Sequence, residues 1–116
     1  MPVKGEVWGV NLGRAQGREQ AKIRPCVVIS NDLVNTKMGL SIVVPFTGTA
    51  WHTKSGRLSP AMVEVIGPEG GLAKPSYSMA FQVRTVSHSR FTARMGVLSV
   101  AKLTDIVRSV QDIINF

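Results

Sequence analysis

The sequence predicts a mainly β protein, a small antiparallel barrel or sandwich that ends in an amphipathic α-helix. Five or more short segments rich in Val, Ile and aromatic residues are separated by clusters of Gly, Pro, Ser and Asn, with little helical periodicity between them. After Ser99 the apolar period changes from two to alternating three and four.

In the first segment, Trp8, Val10 and Leu12 alternate with Gly9 and Asn11, the pattern of a strand with one buried face. Asn11 to Arg24 follows with Gly13, Gly17, four basic residues and one acid, and reads as a polar loop. Cys26-Val27-Val28-Ile29 is nearly continuous and β-branched, a core strand closed by Ser30-Asn31-Asp32. Leu40-Ser41-Ile42-Val43-Val44 is a second core strand, expected to stop at Pro45, with Asn35 to Gly39 as a turn-rich link before it. Thr47 to Pro60 is polar and carries Trp51 and His52.

Met62 to Ile66 is the next expected strand, closed by the turn cluster Gly67-Pro68-Glu69-Gly70-Gly71. Tyr77 to Val86 reads as one strand, with Tyr77, Met79, Phe81 and Val83 on one face and Ser78, Ala80, Gln82 and Arg84 on the other. Ser99 is the expected N-cap of the final helix. That helix carries Val100, Leu103, Ile106, Val107, Val110, Ile113 and Ile114 as its apolar stripe, which should lie on the sheet or on a partner chain.

A chain of 116 residues suits one domain over residues 1–116. With 44% apolar and 18% charged residues it is globular, and no apolar run approaches a membrane span. Fourteen Lys and Arg against 7 Asp and Glu leave a net charge of +7, a field that attracts nucleic acid or an acidic polypeptide. Cys26 is the only cysteine, and with His52 and His88 it makes no zinc spacing, so neither a metal nor another cofactor is expected. The start, Met-Pro-Val-Lys-Gly-Glu-Val-Trp, lacks the apolar core of a signal peptide, and cytoplasm is the expected location.

The common motifs of serine hydrolases, phosphate-binding loops, zinc proteases and dinucleotide folds are missing from the sequence. Three polar constellations remain. Arg14, Arg18, Glu19, Lys22 and Arg24 suit either a phosphate site or a solvated basic loop, and Pro25 biases Arg24 toward an extended backbone. Thr47-Gly48-Thr49 offers hydroxyls and N–H groups to a phosphate, or simply a turn in which Thr47 bonds its own backbone. Gln82 and Arg84 set an amide that reads a base edge beside a phosphate-holding cation, or form the polar face of an ordinary strand. Trp51 stacks on a base or caps the core; His52 and His88 are lone imidazoles in polar surroundings.

In order along the chain, Gly5-Glu6-Val7-Trp8, the block from Glu19 through Lys22, Arg24-Pro25 and Val27-Val28-Ile29 to Ser30-Asn31-Asp32, Pro45-Phe46-Thr47-Gly48, and Gln82-Val83-Arg84-Thr85-Val86 resemble the MazF/PemK family of toxin endoribonucleases. Gly96-Val97-Leu98-Ser99 before the last helix fits the same pattern, so the resemblance runs almost end to end. It implies an SH3-like, CcdB/PemK-type antiparallel β-barrel with a C-terminal helix, working as a homodimer. It further implies metal-independent cutting of single-stranded messenger RNA at short sequences, with a 2′,3′-cyclic phosphate and a 5′-hydroxyl as products. The implied partner is an antitoxin of the MazE kind, whose acidic tail occupies the RNA groove.

By the same resemblance Arg24 and Thr47 are the catalytic residues, and Glu19, Lys22, Ser76, Gln82 and Arg84 contact the substrate. Glu19 would position the 2′-hydroxyl, a base or Arg24 itself. Phe81 stands where the family often has an acidic residue, which leaves the cut sequence open. Two other readings of the scaffold remain at this point: a gyrase-binding toxin like CcdB, and an RNA-binding barrel without chemistry.

Overall fold

The computed structural model of the chain describes residues 1–13 and 22–115, and within them all strand pairs are antiparallel. The strands are β1 (Glu6–Asn11), β2 (Ile23–Val28), β3 (Leu40–Thr47), β4 (Glu64–Val65), β5 (Ser76–Ser78), β6 (Arg84–Ser87) and β7 (Phe91–Val97). They form one sheet in the order β4-β5-β3-β2-β1-β7, with β6 also paired to β3. The sheet curls into half a barrel with the C-terminal helix against it, the architecture expected from the sequence. Two register shifts between β1 and β7 mark bulges, which bend and twist a strand pair.

The near-continuous apolar runs of β2 and β3 follow from burial on both faces. Val27 of β2, Val44 and Phe46 of β3 and Val7 of β1 enter one core cluster. Their sequence neighbours Cys26, Val28 and Val43 point the other way, into a second cluster with Val10, Leu12 and Val86. β1 therefore buries both faces, not the single face that its alternation of Trp8, Val10 and Leu12 suggests. Removing one fully buried Val or Phe side chain from these clusters gives up about 1.5–3 kcal/mol of transfer free energy.

Several boundaries differ from the sequence reading, each for a local reason. A short helix, α1 (Asp32–Lys37), runs from the expected strand end at Asp32 into the expected turn-rich link Asn35 to Gly39; it is begun by Asn31, whose side chain accepts the Val34 N–H at 3.2 Å. Strand β3 runs through Pro45 instead of stopping there. The Pro45 carbonyl accepts the Met79 N–H at 2.9 Å, on the side of β3 where β6 leaves off at Val43 and β5 begins at Phe46. The expected single strand Tyr77 to Val86 is instead β5, a 3₁₀ turn at Ala80–Gln82, and β6. That turn buries Ser78, Met79 and Ala80 together, so the predicted two-faced alternation does not exist. Strand β7 is a further strand beyond those the sequence predicts.

The final helix, α2 (Val100–Ile114), starts as expected: Ser99 Oγ accepts the Lys102 N–H at 3.2 Å. Ile106 and Val110 are buried and Leu103 packs on the same cluster. Lys102 Nζ donates to the Glu64 carbonyl at 2.7 Å, tying the helix to β4. The apolar stripe is longer than the surface it covers, since Val100 is 80% exposed and Ile114 62%. Among the described residues no helix is long and apolar enough to cross a membrane.

A buried polar network fixes α1 against β3. Asn35 Oδ1 accepts from Ser41 Oγ at 2.7 Å and from Ser30 Oγ, while its amide donates to the Ser30 carbonyl at 2.9 Å. With its own proton given to Asn35, Ser41 Oγ accepts from His88 Nε2 at 2.9 Å. His88 also meets Phe91 edge-on, so its ring is a structural donor. At the β1–β7 seam, Glu6 accepts from Arg94 Nε at 2.6 Å, from Trp8 Nε1 at 3.1 Å and from the Val3 N–H at 2.8 Å. Burial opposes this charge, but the three donors outweigh it and hold the carboxyl below its ordinary value of 4.5.

Two stability predictions follow from these contacts. A carboxyl depressed on folding contributes stability above its unfolded value and loses it as pH falls through the folded one. Glu6→Gln should therefore be less stable than wild type by about 1 kcal/mol at neutral pH. The urea midpoints of the two proteins should converge as pH drops below 4.5. The second concerns glycine. Gly56 and Gly71 both have positive φ, but a Cβ at Gly56 meets nothing within 4 Å, whereas at Gly71 it falls 2.1 Å from the Met95 carbonyl oxygen. Gly56→Ala should cost about 1–2 kcal/mol in urea unfolding, and Gly71→Ala clearly more, because backbone must move.

Candidate active site

Pro25 keeps Arg24 in the extended backbone of β2, where Arg24 pairs with Val10 of β1. On its other side β2 pairs with β3 as far as Cys26 opposite Pro45. Two residues beyond that pair on each strand stand Arg24 and Thr47. Both line a cleft of about 400 Å³ with Ser76, Lys74 and Met95.

The far wall of the cleft is the segment Leu72–Ser76, positioned by glycines. A Cβ on Gly96 would fall 2.6 Å from the Gly70 carbonyl carbon, so β7 and the 3₁₀ turn Glu69–Gly71 approach backbone to backbone. The glycine cluster is thus geometric, as the turn reading had it. Tyr77 pairs with Thr47 across β5 and β3, and its hydroxyl donates to Glu64 at 3.3 Å. Desolvation and the adjacent Glu64 carboxylate push the phenol above its ordinary value.

Chemically the cleft offers cations and hydroxyls. Arg24 and Lys74 are its charged lining residues, and it includes no carboxylate among the described residues. Thr47 Oγ1 accepts the Thr49 N–H at 3.3 Å, so the turn role foreseen for Thr47 is real. Accepting that bond leaves the hydroxyl proton to donate, and the two roles do not compete. Ser76 donates its own proton to the Lys74 carbonyl at 3.1 Å.

The other described contact residues, Lys22, Gln82 and Arg84, are not among those that line the cleft. Lys22 is exposed with positive φ, and its backbone closes the base of the first loop by bonds to Leu12 and Gly13. Arg84, in β6, reaches the Leu12 carbonyl at 3.4 Å. Gln82 ends the 3₁₀ turn before β6, so it does not share a strand face with Arg84. Glu19, with Arg14 and Arg18, lies outside the described residues. Cys26 is fully buried, and burial pushes its thiol up to about 12 despite the nearby Arg84 charge, which makes it a poor nucleophile. Among the described residues no three His, Cys, Asp or Glu side chains gather as metal ligands do. Lys74 is a cleft residue outside the sequence-predicted set, although Lys74-Pro75 carries the same pre-proline signal as Arg24-Pro25.

Comparison with known proteins gives a consistent result. The chain is 32% identical over 108 residues to Endoribonuclease MazF9 of Mycobacterium tuberculosis, covering 89% of this chain and 87% of that one. It is 31% identical over 107 residues to Endoribonuclease MazF of Staphylococcus saprophyticus, covering 92% and 86%. The crystal structure of MazF from Deinococcus radiodurans superposes with a TM-score of 0.82 at 21% identity, over 99% of this chain and 97% of that one. A mycobacterial endoribonuclease in complex with its cognate antitoxin superposes at 0.77 with 20% identity, over 98% and 95%. These two structures bear on the fold. The family described as PemK-like, MazF-like toxins of type II toxin-antitoxin systems matches residues 3–114, and with curated relatives above 30% identity along most of their length, this chain belongs to that family.

Proposed function

We propose that the protein is an endoribonuclease toxin that cuts single-stranded RNA without a metal, with Arg24 and Thr47 as its catalytic pair. The observation that carries this reading is that Arg24 and Thr47, each two residues beyond the last β2–β3 pair, line one cleft together with Lys74 and Ser76. In the reaction the ribose 2′-oxygen bonds to phosphorus and the P–O5′ bond breaks. The 2′-hydroxyl proton departs and the 5′-oxygen takes one up, leaving a cyclic phosphate and a 5′-hydroxyl.

Arg24 suits the phosphoryl oxygens, which a guanidinium grips through two parallel N–H bonds as their charge rises. Thr47 adds its remaining O–H to the same oxygens. A guanidinium has five donors and no acceptor, so it serves the leaving oxygen and the phosphate better than it serves as base. The +7 charge supports an RNA substrate and, equally, an acidic antitoxin, in keeping with the similar mycobacterial structure in complex with its cognate antitoxin. A homodimer is supported by the open edge of β7, where Val97 is 54% exposed, and by the uncovered Val100 and Ile114 of α2.

The test is to incubate the purified protein with mixed-sequence RNA in excess EDTA and to map cut positions and end chemistry. Discrete cuts with 5′-hydroxyl ends are expected. Arg24→Ala should cut at least about a hundredfold more slowly, as should Thr47→Val, whereas Thr47→Ser should retain most activity. Thermal midpoints of the three variants should stay within a few degrees of wild type. Full cutting by Arg24→Ala removes the mechanism, and RNA left intact by wild type removes the enzymatic reading.

A further inference from the structure

Trp51 and Phe81 form an exposed aromatic stack outside the cleft. Their ring centroids are 4.9 Å apart and their planes 19° off parallel, and Trp51 is 47% and Phe81 37% exposed. Trp51 thus caps no core, and the pair stays at the surface where Phe46 and Met79 are fully buried. Both rings stand on well-fixed backbone. Phe81 sits in the 3₁₀ turn behind Met79 and Ala80, which are buried and whose N–H groups bond to the Pro45 and Ala61 carbonyls. Trp51 opens a hairpin closed by Ser59 N–H to Trp51 O at 2.8 Å and Thr53 N–H to Arg57 O at 2.7 Å.

The surroundings are cationic. The hairpin carries His52, Lys54 and Arg57, all exposed, and residues 47–63 include no Asp or Glu. Thr53, Ser55 and Arg57 line an open depression of about 560 Å³ on the same hairpin. Trp51 stands four residues after Thr47, so their Cα atoms are at most about 14 Å apart.

We propose that the Trp51–Phe81 stack is a second substrate contact, a platform on which an unpaired base of the RNA stacks while Lys54 and Arg57 hold the adjoining phosphates. A near-parallel pair of rings extends naturally by a third planar ring, and every nucleobase has such a face. Preformed stacking also spares the ordering entropy that a mobile aromatic would lose on binding. The like charge of the hairpin disfavours its docking on the same hairpin of a second copy. The inference rests on the ribonuclease reading above, and it locates part of that enzyme's RNA affinity outside the cleft.

The probe is a mixed-sequence single-stranded RNA with every 2′-hydroxyl methylated, which binds without being cut. Trp51→Ala should weaken its binding about five- to a hundredfold, and Trp51→Phe much less. The loss for Trp51→Ala should be the same at low and high salt, whereas Arg57→Gln should reduce the slope of log affinity against log salt by about 0.7. Binding should quench tryptophan fluorescence in wild type and much less in Trp51→Phe, where Trp8 alone emits. Unchanged affinity in both Trp51→Ala and Phe81→Leu overturns the proposal. So does a drop in oligomeric mass of Trp51→Ala with RNA binding intact, which would assign the stack to a contact between copies. Cutting of ordinary RNA by wild type is measured in parallel: its failure sinks the ribonuclease reading, while cutting with unaltered binding in the variants sinks only the platform.

Discussion

Strand β3 has partners on both sides, and on one side the partner changes midway. β2 occupies one side through Cys26–Pro45, Val27–Val44 and Val28–Val43; the other takes β6 along Leu40 to Val43 and then β5 from Phe46 onward. Pro45 stands at the change. In a strand a residue's N–H and C=O point to the same side, and the Pro45 carbonyl is taken by Met79 in the gap between β6 and β5. Proline has no N–H to direct there, where another residue would bury a donor with no strand opposite at a cost of about 1–3 kcal/mol. That single position lets the chain split one sheet edge into two directions. One carries β5 and Ser76 toward the cleft, and the other carries β6 toward His88 and the polar network.

The parts of the fold legible in the sequence are those where burial and period agree. Helix α2 is one: Ser99 caps it, and Ile106, Val110 and Leu103 meet the core at the spacing their periodicity demands. The β2 and β3 runs are another, since strands buried on both faces have no polar phase to misread. Legibility fails where a period exists by coincidence. Tyr77 to Val86 alternates like a strand, yet Met79 and Ala80 are consecutive buried residues in a turn, and Phe81 is turned outward onto Trp51. Strand β7 escapes notice for the opposite reason. It closes the sheet as an edge, most of its residues are exposed, and Arg94 and Thr92 are held by Glu6 and the Gly9 carbonyl instead of by packing.

Several side chains with catalytic potential are consumed by structure, and the hydrogen-bond directions show which. Ser41 and His88 lie 2.9 Å apart, the spacing of a nucleophile and its base, but Ser41 is fully buried and its proton already belongs to Asn35. Cys26 is sealed in the core with its thiol pushed up to about 12. Arg84, which the sequence sets beside Gln82, spends a guanidinium nitrogen on the Leu12 carbonyl at the foot of the first loop. Arg24 and Thr47 differ because both are half-buried and line open space. No sequence pattern distinguishes an arginine that props up a loop from one that faces a cleft; the neighbour's hydrogen bond decides it.

Why the open space falls where it does follows from the ladder itself. While β2 and β3 are paired, side chains on each face are packed by those of the next strand and by the clusters beneath. The paired register stops at Cys26 and Pro45, and just past it each strand keeps only its partner on the other side: Arg24 pairs with Val10 of β1, and Thr47 with Tyr77 of β5. Each residue keeps a backbone partner on one side and loses the partner between them, which leaves open space there. Rigidity and access, which compete inside a core, are obtained together at a fork between strands. The glycines of Gly70–Gly71 and Gly96 complete the arrangement by letting the opposite wall close to backbone contact with β7, so the cleft has a floor of paired strands and a wall that no side chain props away.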